Sequence, residues 1–177
     1  MLKKWESGRC KPSIGFTVDQ FKGLAPSVII DILKRLGVTF VEINVSVFED
    51  IEKCIHRLAG MKTAFHLPYH SDHQWDLAFD GKQNDWLLKK LHRYKHQLHI
   101  QHLICHPPEH VPEGQNTDDV YNYLFDNLIK TEIPVYLENI LSLPPEEYYV
   151  FFQKAQSRLG DQLHGMCWDA CHFHVAG

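Results

Sequence analysis

The sequence predicts a parallel α/β fold. Six short apolar segments of strand length alternate with longer amphipathic ones. The units recur about every 30 residues, the size of a strand–helix–strand crossover. Side chains able to ligate a metal or move a proton stand where four consecutive strand segments meet their loops. Such alternation joins parallel strands through crossover helices, and by itself leaves a doubly wound sheet and a barrel equally open.

The first strand segment is PSIGFTV, residues 12–18. In SVIIDILKRLG the apolar residues Val28, Ile29, Ile32, Leu33 and Leu36 predict one helical stripe, with Gly37 as its stop. The second strand is VTFVEINV, with Val41, Ile43 and Val45 on one side and Phe40, Glu42 and Asn44 on the other. In SVFEDIEKCIHRLAG, Ser46 and Glu49 have capping-box spacing, and Phe48, Ile51, Ile55 and Leu58 form the stripe. The third strand is KTAFHL. The connection after it, PYHSDHQWDLAFDGKQN, is long and carries His70, Asp72, His73, Trp75 and Asp76. Loops above roughly 12 residues in a compact domain are commonly functional, so this one is expected to cover a site. Asn84 and Thr117 are the expected caps of the next two helices, and Pro144 and Pro145 the start of a fifth. The remaining strands are QHLICH, IPVYLEN and QLHGMCWD.

Composition narrows the function. Of 177 residues, 44% are hydrophobic and 23% charged, ordinary values for one globular domain over 1–177. No apolar run approaches the roughly 20 residues that span a bilayer. The polar N-terminus lacks the apolar stretch of a signal peptide. The five cysteines, Cys10, Cys54, Cys105, Cys167 and Cys171, are odd in number, which fits reduced thiols and a cytoplasmic setting. The net charge of −4 gives no support to strong nonspecific nucleic-acid binding. Thirteen histidines are the unusual feature. His56, His92, His96 and His99 lie in helical patterns and read as surface residues.

The strand ends carry the chemistry. The third ends at His66, the fourth at His106, the fifth at Glu138 and Asn139, and the sixth at Asp169 and His172. Their neighbours Phe65, Leu67, Leu137 and Trp168 are apolar, and strand alternation turns neighbours to opposite faces. An inward carboxylate is costly unless it meets a cation or strong donors. Imidazole with carboxylate is a ligand mix suited to Zn, Mn, Fe or Co.

Several strings resemble a known group. GMCWDACH, followed by FHVAG, is similar to the sixth-strand signature of endonuclease IV. HPP at His106 resembles that family's HPG, with Pro108 in place of glycine. LEN at Glu138 and HLPY at His66–Tyr69 match further segments in order, with a weaker echo at Glu42. The chain thus resembles the xylose-isomerase-like superfamily, the group of endonuclease IV and the sugar phosphate isomerases and epimerases. The resemblance implies a (β/α)₈ TIM barrel, incomplete in this chain at about six β/α units, and a divalent metal, Zn or Mn. It implies that His66 and His106 bind one metal, that Glu138 bridges to a second held by Asp169, and that His172 binds a third. Sugar epimerases of the group keep only the glutamate and aspartate of this set and use carboxylates to move a proton beside a carbonyl.

Three functions follow from the resemblance. The first is a metal-dependent sugar or sugar-phosphate isomerase/epimerase acting on a small sugar or polyol. Glu138 would then be both ligand and catalytic base, and Glu42, Tyr69 and Asn139 would contact substrate. The second is an endonuclease IV-like phosphodiesterase acting on abasic DNA. The third is an inactive barrel remnant used in binding or assembly. The acidic charge ranks the first ahead. The group's barrel has two further strands. A chain truly ending at Gly177 is therefore expected to oligomerise or to bind a fragment that completes it. Otherwise a whole protein of roughly 250 residues is expected.

Overall fold

Residues 14–19, 23–68, 76–79 and 81–172 are described by a computed structural model of the chain. Six strands among them form one sheet in chain order, every pair parallel. They are β1 (Phe16–Val18), β2 (Phe40–Ile43), β3 (Lys62–His66), β4 (Ile100–Cys105), β5 (Val135–Glu138) and β6 (Leu163–Cys167). Helices α1 (Pro26–Arg35), α2 (Ile51–Leu58), α3 (Lys82–Tyr94), α4 (Thr117–Thr131) and α5 (Pro145–Leu159) alternate with them. A doubly wound sheet reverses its strand order at a switch point, whereas chain order throughout is the order of a barrel wall. The fold is a partial TIM barrel of six strands with β1 and β6 at its edges.

The core lies between sheet and helices. Val41, Ile43, Phe65, Leu103, Val135 and Leu137 are fully buried on the helix side. Fully or nearly fully buried Phe125 and Phe151 lie 5.4 Å apart between α4 and α5. Burial of such side chains supplies roughly 1.5–3 kcal/mol each. The Tyr148 hydroxyl donates to the Leu137 carbonyl at 2.8 Å, which ties α5 to the strand residue just before Glu138.

The register is staggered, and this positions the site. Glu42 pairs with Ala64 rather than His66, and His66 pairs with Ile104 rather than His106. Cys105 pairs with Leu137, which sets His106 beside Glu138, but Glu138 pairs with Cys167 rather than Asp169. Between Glu42 and Asp169 the row of site residues therefore climbs two residues at three of four strand boundaries. Strands tilted by about 36° to a barrel axis require such a climb for residues at one height.

Local structure departs from the sequence reading at five places. Ser46 does not cap α2: Asn44, extended at the end of β2, accepts from the Ser46 N–H at 2.9 Å, and a 3-10 turn over Val45–Asp50 precedes the helix. No capping box forms, and the Ser46 hydroxyl is buried without a hydrogen-bond partner. Asn84 lies inside the first turn of α3, where its amide donates to the carbonyls of Asp76, at 2.7 Å, and Phe79. Asn116, not Thr117, caps α4, accepting from the Asp118 N–H at 2.8 Å from an extended backbone. His96 and His99 fall in the turn after α3, though both are exposed, as are His56 and His92.

The fifth departure is the α1 stripe. Ile30 and Ser27 face the interior, Ile29 and Leu33 pack beside them, and Val28, Ile32 and Leu36 are exposed. Polar ties to the neighbouring unit fix this rotation. Ser27 donates to Asp50 at 2.6 Å, Arg57 to Asp31 at 2.9 Å, and Lys34 to the Ala59 carbonyl at 2.7 Å. The stop at Gly37 is as expected, with its φ of +81° and the Val38 N–H returning to the Leu33 carbonyl at 3.0 Å. The helix α5 begins at Pro145, as the paired prolines indicate. Among the described residues no helix is long and apolar enough to cross a membrane.

Asn116→Ala should lower unfolding free energy by about 1 kcal/mol, the usual value of an N-cap. Thr117→Ala should cost much less in the same urea titration. Equal losses would return the cap to Thr117.

Candidate metal centre

Strands β3 to β6 and the residues just after them deliver side chains to one rim of the sheet. Alternation sends Phe65 and Leu137 into the core, so His66 and Glu138 turn inward. His106 follows β4 by one residue, and Asp169 follows β6 by two. The Nε2 atoms of His66 and His106 lie 3.2 Å apart. Glu138 Oε2 lies 3.8 Å from His66 Nε2 and 3.5 Å from His106 Nε2. Its other oxygen, Oε1, lies 4.0 Å from His172 Nδ1, which is 3.7 Å from Asp169 Oδ2. Two donor groups result, His66–His106–Glu138 and Glu138–Asp169–His172, each with ligand atoms within 4.8 Å of one another. They share Glu138. Borderline nitrogen donors with hard carboxylate oxygens at this spacing fit a divalent transition metal. The sequence reading assigned His172 to a third metal, while the geometry groups it with Glu138 and Asp169.

Both carboxylates are held ionised. Burial pushes the Glu138 carboxyl up, but hydrogen bonding and charge from His106, with the charge of His66, outweigh it and leave the pKa lowered. The His172 backbone N–H lowers the Asp169 pKa most; burial opposes it, and the Cys171 N–H with the charges of His172 and His106 leaves the pKa lowered. Asp169 Oδ1 accepts these bonds at 3.1 and 2.7 Å. The Cys167 thiol beside Glu138 is pushed up to about 12 by burial and by the carboxylate charges of Glu138, Glu42 and Asp169. It is a neutral thiol at physiological pH.

Asn139 and Glu42 brace the centre. Asn139 Oδ1 accepts from the Asp169 N–H at 2.8 Å, and its Nδ2 donates to the Asp169 carbonyl at 3.0 Å. The Asn139 carbonyl lies 2.8 Å from His172 Nδ1. Its amide thus joins the ends of β5 and β6. Glu42 Oε1 lies 2.9 Å from His66 Nδ1. Tyr69, expected at the substrate, falls outside the described residues, as do His70, Asp72, His73 and Trp75 of the same connection. Asp76, at its end, accepts from the Ala78 N–H at 2.8 Å.

The sequence reading missed the floor of the barrel. Phe40 stacks on His102, with ring centroids 6.0 Å apart. His102 meets Tyr136 edge-on at 4.8 Å, and Tyr136 meets His164 at 6.0 Å. The signal was the same alternation that marks the site. His102 stands four residues before His106, and Tyr136 two before Glu138, on the same faces. Burial, the first cause, lowers the His102 pKa and favours a neutral ring.

No protein-family model matches the chain, and no curated protein matches it. Solved structures do. One is an AP endonuclease, family 2, from Brucella melitensis, with a TM-score of 0.60 at 12% identity over 80% of this chain and 63% of that one. Another is an L-ribulose 3-epimerase, with a TM-score of 0.59 at 14% identity over 92% of this chain and 62% of that one. The chain spans about three-fifths of the length of these relatives. This chain shares their fold, a (β/α) TIM barrel of which it holds six strands. The near-equal scores favour neither chemistry.

Two outcomes test the electrostatics. A carboxylate whose folded pKa is lowered stabilises the fold above its unfolded pKa, about 4.3 for glutamate. That contribution fades as pH falls through the lowered folded value. Urea unfolding of metal-free protein from pH 6 to 3 should therefore show a steeper acid limb in wild type than in Glu138→Gln. Parallel limbs would show that Glu138 is not stabilised in its ionised form. Asn139→Ala should speed hydrogen exchange at the Asp169 amide and cost about 1 kcal/mol for each bond lost. Unchanged exchange there would remove the brace.

Proposed function

We propose that this chain, an xylose-isomerase-like barrel, is the larger part of a metal-dependent enzyme that hydrolyses phosphoesters at a two-metal centre. One observation carries the reading. The two oxygens of Glu138 face different donors, Oε2 toward His66 and His106, and Oε1 toward His172, which in turn lies 3.7 Å from Asp169. A carboxylate so placed would be shared between two bound cations. Paired metals suit in-line displacement at phosphorus, where attacking and leaving oxygens both carry charge.

His66 and His106 would hold one Zn or Mn and Asp169 and His172 the other, with Glu138 common to both. When bound, these ions supply Lewis acidity toward a phosphoryl oxygen. The side chains do the rest. Glu138 and Asp169, ionised at neutral pH, balance the charge of the cations and can accept a proton from an attacking water. Asn139 holds Asp169 at the rim through both ends of its amide, so we assign it to positioning rather than to substrate. His102 and Tyr136 pack edge-on below the centre, with ring centroids 4.8 Å apart.

The second reading is the isomerase/epimerase. The charge of −4 favours a small sugar or polyol over nucleic acid. There Glu138 would remove a proton beside a carbonyl, and His66 and His106 would have no ligand role.

Protein of verified mass should bind two equivalents of zinc or manganese. Glu138→Gln should weaken both sites sharply. Asp169→Asn should release one equivalent and His106→Ala the other. The loaded wild type should hydrolyse bis(p-nitrophenyl) phosphate and, should the substrate be DNA, an abasic duplex. A single equivalent unaffected by His106→Ala, together with deuterium incorporation into a ketose in D₂O, would install the epimerase instead.

A further inference from the structure

We infer that Glu42 is the positioning residue of His66: its carboxylate accepts a hydrogen bond from Nδ1–H and thereby turns the Nε2 lone pair toward the metal centre. The inference rests on the reading of that centre as metal-binding, and it reassigns a residue first expected at the substrate.

The geometry is direct. Glu42 Oε1 lies 2.9 Å from His66 Nδ1, and each side chain is 24% exposed. An ionised carboxylate can only accept, so Nδ1 must donate. In the neutral ring the other nitrogen then keeps its lone pair. That nitrogen, Nε2, is the one that faces His106 Nε2 at 3.2 Å and Glu138 Oε2 at 3.8 Å. The opposite tautomer would set a lone pair against the carboxylate and a proton into the donor group.

Glu42 is itself held in place. Thr17 pairs with Glu42 across β1 and β2 and donates its hydroxyl to the same oxygen at 3.4 Å. The register step at β2 and β3 makes Glu42 face the strand residue two before His66, so its side chain reaches up to the imidazole instead of lying beside it. Outer partners of this kind fix ring orientation and raise ligand basicity.

The test uses ¹⁵N-labelled protein, with zinc as the metal. Long-range ¹H–¹⁵N correlation of the metal-free protein above neutral pH should show His66 protonated at Nδ1. Glu42→Leu should move the ring toward the Nε2–H form and weaken zinc roughly ten- to hundredfold in a chelator competition. Glu42→Gln, whose amide oxygen still accepts, should keep the tautomer and most of the affinity. It also guards against a leucine variant that fails to fold. A His66 signature unchanged in Glu42→Leu overturns the inference. So does zinc affinity lost equally in both variants with the tautomer intact, which would make Glu42 a charge partner or ligand. Failure of wild type to bind zinc overturns the metal reading instead, and the ring signature still decides whether Glu42 sets the tautomer.

Discussion

Glu138 is a carboxylate buried to 7% exposure, and the arrangement of the site follows from keeping it ionised. Burial alone would neutralise it. His106 and His66 supply the opposing hydrogen bond and charge, and they do so only because the strand stagger sets their Nε2 atoms beside one carboxylate oxygen. The other oxygen is left to His172. The structure is organised around a buried charge that two imidazoles hold ionised against burial.

The surroundings hold that charge in place from three directions. Tyr148 fixes the backbone one residue before it, and Asn139 fixes the backbone one residue after it to the loop of Asp169. Glu42, on the strand next to β3, orients His66. None of these three touches a second donor group, yet each removes a rotational freedom from one that does. Sites built on strand ends gain precision this way, because the scaffold rather than the loop absorbs the constraint.

The fold and the centre also set limits on what the likeness to other barrels conveys. An AP endonuclease and an L-ribulose 3-epimerase share this framework almost equally well. A barrel hosts many chemistries through the residues at its strand ends, so function is read from those residues and not from the frame. Here His66 and His106 stand beside Glu138 as one donor group, and Asp169 and His172 as another.

Much was legible in the sequence. Alternating strands place His66, His106, Glu138 and Asp169 on one face, and strand ends in a parallel fold share one rim. These are local, periodic facts, and periodicity needs no tertiary knowledge. Doubly wound order and barrel order were indistinguishable, because strand order is a relation between distant segments. The caps at Asn44 and Asn116 went to Ser46 and Thr117 in the sequence reading, since candidates one or two residues apart differ only in backbone angles. The α1 face was misread because its apolar residues fit two stripes, and hydrogen bonds to α2 and its preceding turn chose between them. Glu42 read as a substrate contact, because only the register across β2 and β3 brings it to His66. The sequence determined which groups could meet. Strand tilt and register decided which of them do.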